Sequence, residues 1–192
     1  MRIIGIAGTN GSGKDTVAQL LAAKHNYLYV SVSEMLRDEC RARGLEVKRE
    51  NLRMISTEWR RTLGLGAPVD KAVEALHQSG GSYDGLVTGS IRNPGEAMRV
   101  HELGGLMVWT DADPRVRYER IQAANRGRVG EDDKTYEEFL AEEDAEMNPV
   151  DSTDDAVLNG TAVKALCDET IRNEGDVSEL EQAIDMLIQK RS

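Results

Sequence analysis

Short apolar runs alternate along the chain with longer segments in which apolar residues return at helical spacing. Five of the runs have the length and composition of buried strands, and they cover residues 2–7, 27–30, 85–88, 106–110 and 169–172. Helical segments separate them, at about 14–25, 33–79, 114–125, 135–147 and 178–190, and another helix begins at the capping pair Asn93-Pro94. Strands that alternate with helices favour a parallel sheet with helices on both faces.

One connection in this pattern is unusually long. Residues 33–79 carry helical sequence throughout, broken near Gly44 and again between Gly64 and Pro68. We interpret this stretch as a helical subdomain inserted into a single doubly wound α/β domain, residues 1–192. Two other segments lack a regular pattern: the polar residues 126–133, which we interpret as a mobile loop, and the acidic residues 148–160.

Composition and charge disfavour several classes of function. A net charge of −10 opposes binding to nucleic-acid backbones and anionic lipid, so we expect neither a nucleic acid nor a membrane as a partner. No apolar run approaches the roughly 20 residues that span a bilayer, and the first residues pass directly into a strand, so we expect a cytoplasmic protein without a signal peptide. The two cysteines fit no metal-binding spacing.

The most specific motif follows the first strand and opens the first helix. It reads Gly-Thr-Asn-Gly-Ser-Gly-Lys-Asp-Thr over residues 8–16, which is the spacing and context of a Walker A loop. Its glycines let successive backbone N–H groups turn toward one anion, and the helix N-terminus adds partial positive charge. Lys14 can then reach the β- and γ-phosphates. The ATP-binding residues predicted here are Gly8, Asn10, Gly11, Ser12, Gly13, Lys14, Asp15 and Thr16.

The residue after Lys14 departs from the usual motif. Serine or threonine ordinarily follows the lysine as a direct Mg²⁺ ligand, whereas this chain has Asp15 and then Thr16. Either Asp15 contacts the metal, directly or through water, or Thr16 replaces it, and the sequence leaves both open. The Gly-Lys-Asp-Thr variant resembles P-loop kinases of small molecules.

Two segments that end in arginine resemble the acceptor site of adenylate kinases. Residues 31–37 read Ser-Val-Ser-Glu-Met-Leu-Arg, and residues 87–92 read Val-Thr-Gly-Ser-Ile-Arg at the end of a strand, where ligands bind in open α/β sheets. The second segment resembles an archaeal-type group of uncharacterised small kinases still more closely. The resemblance implies that Arg37 and Arg92 bind the acceptor phosphate, which suits the planar guanidinium. Thr88 stands where adenylate kinases carry aspartate.

Residues 117–133 resemble the lid of nucleoside monophosphate kinases, which carries a similar Arg-Gly-Arg and Asp-Asp. The matching arginines are Arg120, Arg126 and Arg128. With Lys14, they are implied to be catalytic, because they would neutralise charge on the transferring phosphoryl group while closure expels water. The helix that follows has no arginine and many glutamates, and we interpret these as a solvated helix face.

The last motif lies at the end of the fifth strand. Residues 167–175 read Cys-Asp-Glu-Thr-Ile-Arg-Asn-Glu-Gly and resemble the ending of dephospho-coenzyme A kinases, where this turn lies near the adenine of ATP. The resemblance implies that Asn173 and Gly175 contact the nucleotide. An ordinary strand-to-helix turn that needs Gly175 is compatible with this role.

Taken together, the motifs resemble the adenylate kinase and dephospho-coenzyme A kinase group of P-loop kinases. This resemblance implies a three-layer P-loop NTPase fold with a core of residues 1–32, 80–125 and 150–192, an acceptor-binding insert at about 33–79 and a lid at about 126–147. It also implies ATP and Mg²⁺ as cofactors. The implied reaction transfers the γ-phosphoryl group of ATP to a small phosphate-bearing acceptor, most simply a nucleoside monophosphate. We expect the protein to be a monomer or a homodimer.

Three alternatives remain open from the sequence. A hydroxyl acceptor, as in dephospho-coenzyme A, would need a carboxylate beside its hydroxyl, and Asp15 is the nearest candidate. The chain could instead be an ATPase switch without an acceptor, although the GTPase motifs Asp-x-x-Gly and Asn-Lys-x-Asp are absent from its sequence. A degenerate binding protein that has lost catalysis is disfavoured by the intact Lys14 and the Arg-Gly-Arg segment.

Overall fold

The computed structural model describes residues 2–124, 134–149 and 154–189. The predicted loop at 126–133, with Arg126 and Arg128, lies outside these residues. The strands are β1 (Arg2–Gly8), β2 (Tyr27–Ser31), β3 (Gly85–Ile91), β4 (Leu106–Asp111) and β5 (Glu169–Arg172). The helices are α1 (Lys14–His25), α2 (Val32–Ala42), α3 (Arg49–Leu63), α4 (Ala67–Gln78), α5 (Pro94–Glu102), α6 (Pro114–Ala124), α7 (Tyr136–Met147), α8 (Gly160–Ala165) and α9 (Val177–Gln189).

The five strands form one parallel sheet in the order β2-β3-β1-β4-β5, which confirms the predicted fold class. Strand β1 lies in the centre, with β3 on one side and β4 on the other. After β1 the chain forms β2 and β3 on one side of this strand, and the connection from β3 to β4 then crosses to the other side. Open α/β sheets bind ligands at such a reversal, beyond the carboxyl ends of the strands. The glycine-rich loop therefore begins at the place where this sheet favours a ligand.

A hydrophobic core lies on each face of the sheet because residues along β1 point alternately to the two sides. Ile4 and Ile6 pack with α1 and α9, whereas Ile3 and Ala7 pack with α2 to α5 and α8. All four side chains are buried. This arrangement explains why β1 reads as a continuous apolar run, as is usual for a strand covered on both faces.

Two elements differ from the sequence-based expectation by more than one residue at an end. Helix α8 was not predicted, because it has only six residues and depends on Asn159, whose side chain caps it by accepting from the N–H of Ala162 at 2.9 Å. Strand β3 runs three residues beyond the predicted end at Thr88 and contains a bulge, where Ser90 adopts a φ of 66°. Such a bulge re-aims the chain as it enters a loop. Among the helices of the described residues, none is long and apolar enough to traverse a membrane.

Candidate functional site

The loop between β1 and α1 is closed tightly on itself. Gly11 and Gly13 adopt left-handed φ angles of 79° and 84°. A Cβ atom on Gly13 would lie 2.2 Å from Nδ2 of Asn173, and one on Gly11 would lie 2.6 Å from the backbone oxygen of Arg117. Gly13 is also the N-cap of α1 and has no side chain to bond the N–H groups of the first turn. No N-cap side chain therefore competes with an anion for those groups, which suits a phosphate-binding loop.

Lys14 lies at the centre of the site. Its side chain is largely enclosed, since the residue is 7% exposed, and Nζ donates to the backbone oxygen of Thr9 at 3.4 Å. Lys14 contributes to the walls of two cavities, one on each side of the loop. It is therefore positioned to act on a group that lies between them.

The first cavity has a volume of about 400 Å³ and lies between the loop, α6 and the turn after β5. Gly8 and Ser12, which were also predicted to bind ATP, do not line it. Ser12 is buried inside the loop, where its hydroxyl donates to the oxygen of Thr9 at 2.9 Å. The predicted residues that do line it are Asn10, Gly11, Gly13, Lys14, Asp15, Thr16, Arg120, Asn173 and Gly175.

Asn173 fastens the turn after β5 to the loop. Its Nδ2 donates to the backbone oxygen of Ser12 at 2.9 Å, and its own backbone oxygen accepts from Nη1 of Arg120 at 2.8 Å. Asn173 is buried, and its bond to Ser12 is sheltered from water, whereas the bond from Arg120 is partly buried. Asn173 thus holds the glycine-rich loop in place and positions Arg120 beside the first cavity.

Replacing Asn173 with alanine is expected to loosen this loop. The buried oxygen of Ser12 would lose its partner, and the free energy of unfolding should fall by about 1–3 kcal/mol. The affinity for ATP should fall as well, which denaturant unfolding and ATP titration would measure. The matched control is Asn51→Ala, which removes a side-chain bond to the backbone oxygen of Glu46 at an exposed position. If ATP affinity changed no more than in the control, the positioning role of Asn173 would be wrong.

The second cavity has a volume of about 210 Å³ and lies against α2, α3 and the end of β3. Both predicted acceptor residues, Arg37 and Arg92, line it. Asn10, Lys14 and Asp15 line both cavities, so the two meet at the start of α1. A phosphoryl donor in one cavity and a phosphoryl acceptor in the other would therefore approach each other beside Lys14.

Helix α3 contributes a row of side chains to the second cavity that the sequence reasoning did not identify. The row consists of Arg49, Arg53, Ser56 and Arg60. Their spacing of four, three and four residues places them on one face of a helix. That periodicity of polar residues is visible in the sequence, but it does not by itself distinguish the wall of a cavity from an ordinary surface face.

Asp15 and Tyr29 form a polar pair at the boundary between the cavities. The hydroxyl of Tyr29 donates to Oδ1 of Asp15 at 3.1 Å, and burial followed by the charge of Asp15 raises the pKa of Tyr29 above its usual value. Asp15 lines both cavities, whereas the exposed Thr16 lines the first alone. Thr88, at the position of the adenylate kinase aspartate, is buried in β3 and lines neither cavity.

The acidic helix α7 is not simply a solvated helix face, so that interpretation was wrong. Glu143 forms a bidentate ion pair with the buried Arg117, whose Nη2 lies 2.7 Å from Oε1 of Glu143. Glu142 accepts from Arg49 at 2.8 Å, and Glu146 contacts the arginines of the second cavity. The reason for the error is tertiary: the arginines that these glutamates bind lie 26 to 97 positions away in sequence.

Comparison with known proteins identifies the family of the chain. A family model described as an AAA domain matches residues 4–147. A UPF0200 protein of Pyrococcus abyssi is 29% identical over 98% of this chain and 96% of its own length. A UPF0200 protein of Methanocaldococcus jannaschii is 29% identical over 75% of this chain and 71% of its own length. These relatives are archaeal, as the resemblance to archaeal-type small kinases had predicted, and their names assign no activity.

Solved structures support the same fold. TT1252 from Thermus thermophilus superposes with a TM-score of 0.60 at 22% identity, covering 99% of this chain and 97% of its own. Shikimate kinase from Acinetobacter baumannii in complex with shikimate superposes with a TM-score of 0.56 at 16% identity, covering 100% and 94%. At these identities the likeness establishes the fold and leaves the substrate open.

Proposed function

We propose that this chain is an ATP-dependent phosphotransferase. The proposal starts from its family and its fold: the chain belongs to the AAA domain family and has the fold of P-loop kinases. It would transfer the γ-phosphoryl group of ATP to a small phosphate-bearing acceptor, most simply a nucleoside monophosphate. One observation carries the proposal: two cavities meet at Asn10, Lys14 and Asp15. A nucleotide switch needs the first cavity alone, whereas a transferase needs both.

The chemistry of the transfer would be electrostatic. ATP would occupy the first cavity with its phosphates against the loop, and Lys14 would face the β- and γ-phosphates. Phosphoryl transfer asks little covalent chemistry of a protein, and its rate depends on alignment and charge neutralisation. The enclosure of Lys14 supports this role because a charge sheltered from water acts more strongly on its neighbours.

Magnesium would be held chiefly by Asp15. Its carboxylate lies where the two cavities meet, and Mg²⁺ prefers oxygen ligands, with water and substrate phosphates completing its shell. The ion would neutralise charge on the phosphates during transfer. Thr16 remains the alternative ligand, although it lines the first cavity alone.

Of the three predicted catalytic arginines, the structure describes Arg120 alone. Arg120 lines the first cavity and donates to the backbone oxygen of Asn173, which supports a role for Arg120 on the phosphates of ATP. Arg126 and Arg128 lie outside the described residues, and their role on the transferring group remains a prediction. The same holds for the lid boundaries, of which α7 forms the described part.

Arg37 and Arg92 would bind the acceptor phosphate in the second cavity. Arg92 stands directly after β3, next to the bulge at Ser90, and its backbone N–H donates to Oε2 of Glu96 at 3.0 Å. Arg37 lies on α2 and pairs with the exposed Glu34 at 2.5 Å. A planar guanidinium makes paired bonds to phosphate, which supports this assignment.

Replacing Arg92 with alanine should weaken binding of the acceptor far more than binding of ATP. Loss of a charged hydrogen bond to phosphate is expected to raise the KM for the acceptor roughly ten- to hundredfold. The KM for ATP should change less than about twofold. Arg99→Ala, which removes a surface arginine of α5 paired with Asp70 and Glu102, is the matched control. Equal increases in both KM values would remove Arg92 from the acceptor site.

A hydroxyl acceptor is the second candidate, and the pair of Asp15 and Tyr29 favours it. The carboxylate of Asp15 faces the second cavity and could accept the proton of an attacking hydroxyl, while Tyr29 orients it. Shikimate kinase, a structural neighbour, was solved with shikimate, a ligand of this chemical type. A phosphate acceptor needs no such base because it is already an anion.

The experiment that tests the proposal is a panel of candidate acceptors, each incubated with ATP and Mg²⁺ and read by product mass. The panel contains nucleoside monophosphates, dephospho-coenzyme A, small hydroxy acids and phosphorylated metabolites. A phosphotransferase should convert one class of acceptor with stoichiometric release of ADP. ATP turnover that no acceptor accelerates would instead support an ATPase switch.

A further inference from the structure

Three arginines of the second cavity converge on one carboxylate of the chain itself. Nη2 of Arg53 donates to Oε1 of Glu146 at 2.9 Å, and Nη1 of Arg92 donates to Oε2 at 3.0 Å. Nη1 of Arg49 lies 3.5 Å from Oε1. The side chain of Glu146 is 20% exposed and its contact with Arg92 is partly buried, whereas the side chain of Arg53 is 49% exposed. Although burial alone would raise the pKa of Glu146, the three arginines hold it below its usual value.

Glu146 is the carboxylate that Arg53 and Arg92 share. In the described part of the chain, α7 supplies Glu146 to the three arginines, whereas Glu142 pairs with both Arg49 and Lys134. If Glu146 withdrew, Arg53 and Arg92 would lose this carboxylate while their guanidinium groups stayed close to each other and to that of Arg49. Like charges held this close repel, and the cost is relieved by an anion that enters the same space.

The geometry also indicates which anion suits the arginines best. Glu146 has two oxygens, which accept from Arg53 and Arg92, while Arg49 makes its shorter contact, of 2.8 Å, with Glu142. A phosphate monoester has three terminal oxygens and up to two negative charges. It could therefore offer each guanidinium group an oxygen of its own, whereas the two oxygens of Glu146 are bonded to Arg53 and Arg92.

We propose that Arg49, Arg53 and Arg92 form a binding site for a phosphate monoester group, and that Glu146 occupies this site as an intramolecular competitor that the acceptor displaces. The inference deepens the proposed function and rests on it only in identifying the phosphate as that of the acceptor. It adds Arg49 and Arg53 to the acceptor site, and it gives the acidic helix α7 a role in gating that site.

Displacement of Glu146 would also affect the glycine-rich loop. One turn of α7 earlier, Glu143 binds Arg117, and Nη1 of Arg117 donates to the backbone oxygen of Asn10 at 3.3 Å. Asn10 lines both cavities. A shift of α7 on acceptor binding is therefore linked through two contacts to the loop that would hold ATP.

Substituting the competitor should strengthen phosphate binding. Glu146→Gln keeps the shape of the side chain and removes its charge, so inorganic phosphate, titrated by calorimetry without nucleotide, should bind at least about tenfold more tightly than to the unaltered chain. The reason is that a site blocked most of the time binds with an affinity reduced by the blocked fraction. Equal or weaker phosphate binding in this variant would overturn the proposal.

Two further variants separate this site from other sources of phosphate affinity. Glu146→Gln combined with Arg53→Ala should lose the gain, whereas phosphate bound at the glycine-rich loop contributes equally to both proteins. Glu137→Gln removes the same charge from an exposed position at the opposite end of the same helix, so it should change affinity less than about threefold. An equal gain in the Glu137 variant would show a general charge effect and would also overturn the proposal.

The unaltered chain offers an independent test if the variants fold poorly. Saturating inorganic phosphate should accelerate hydrogen exchange of the backbone amides of α7, since Glu146 would be released from its partners. Unchanged or slower exchange in α7 would contradict displacement. Neither measurement involves ATP or turnover, so a failure here leaves the phosphotransferase proposal standing, and the absence of kinase activity leaves the phosphate site testable.

Discussion

Replacing Lys14 with alanine is expected to lower ATP-dependent turnover by at least about a hundred- to a thousandfold, the usual effect of removing one well-placed charge-stabilising group. The expectation follows from position. Lys14 is 7% exposed, follows the glycine-rich loop directly and lies on the walls of both cavities. At so enclosed a position, water cannot readily take over the stabilising effect of the lysine charge. The loss would be measured as steady-state turnover with the acceptor that the panel identifies.

The control for this prediction lies on the same helix. Lys24, near the end of α1, pairs with Glu181 and Asp185 at the surface, away from both cavities. Lys24→Ala should leave turnover within about twofold of the unaltered chain. If the Lys14 variant kept its turnover, the assignment of the active site to the loop would be wrong, whatever the fold.

The largest expected effect on stability comes from Arg60. Its guanidinium bonds Oε1 of Glu96 at 2.8 Å, the backbone oxygen of Ala156 at 2.6 Å and the hydroxyl of Ser56 at 3.1 Å. Both side chains of the ion pair are 1% exposed. Arg60→Ala would leave the buried charge of Glu96 without its partner, so the free energy of unfolding should fall by about 3–5 kcal/mol.

The neighbouring arginine supplies the control for Arg60. Arg61 is paired with Asp154 but its side chain is 61% exposed, so Arg61→Ala should cost only about 0–1 kcal/mol. Denaturant unfolding of the two variants would measure the contrast. Similar losses would mean that the buried pair contributes no more than a surface pair.

The pair of Arg60 and Glu96 also matters for the site. Oε2 of Glu96 accepts from the backbone N–H groups of Arg92 and Asn93, at 3.0 and 3.3 Å. Glu96 thereby fixes the backbone that presents Arg92 to the second cavity. Arg60 is therefore a structural support of that cavity and is less available to bind an acceptor than Arg49 or Arg53.

The sequence was sufficient for the fold and for the glycine-rich loop. Each depends on local pattern: the alternation of apolar runs and helical segments for the sheet, and the spacing of Gly8, Gly13 and Lys14 for the loop. The strand β5 and the helix α1 begin and end where predicted. Helix α8 was missed because six residues are too few to show a period, and its start depends on a single capping asparagine.

The sequence was insufficient for the acceptor side of the site. Arg49 and Arg53 lie on one face of α3, but many surface helices have such a face, and nothing local indicates that this one borders a cavity. The glutamates of α7 were misinterpreted for the same reason. A charged helix face is usually solvated, and only the tertiary fold brings Glu143 and Glu146 against Arg117 and Arg92.

The most direct test of the account is a calorimetric titration of the chain with Mg-ATP, run at two temperatures because the enthalpy of binding can vanish at one of them. The account predicts saturable binding of one nucleotide per chain, in the cavity beside Gly13 and Lys14. The absence of binding at both temperatures, with ATP and with every other nucleoside triphosphate tried, would contradict it.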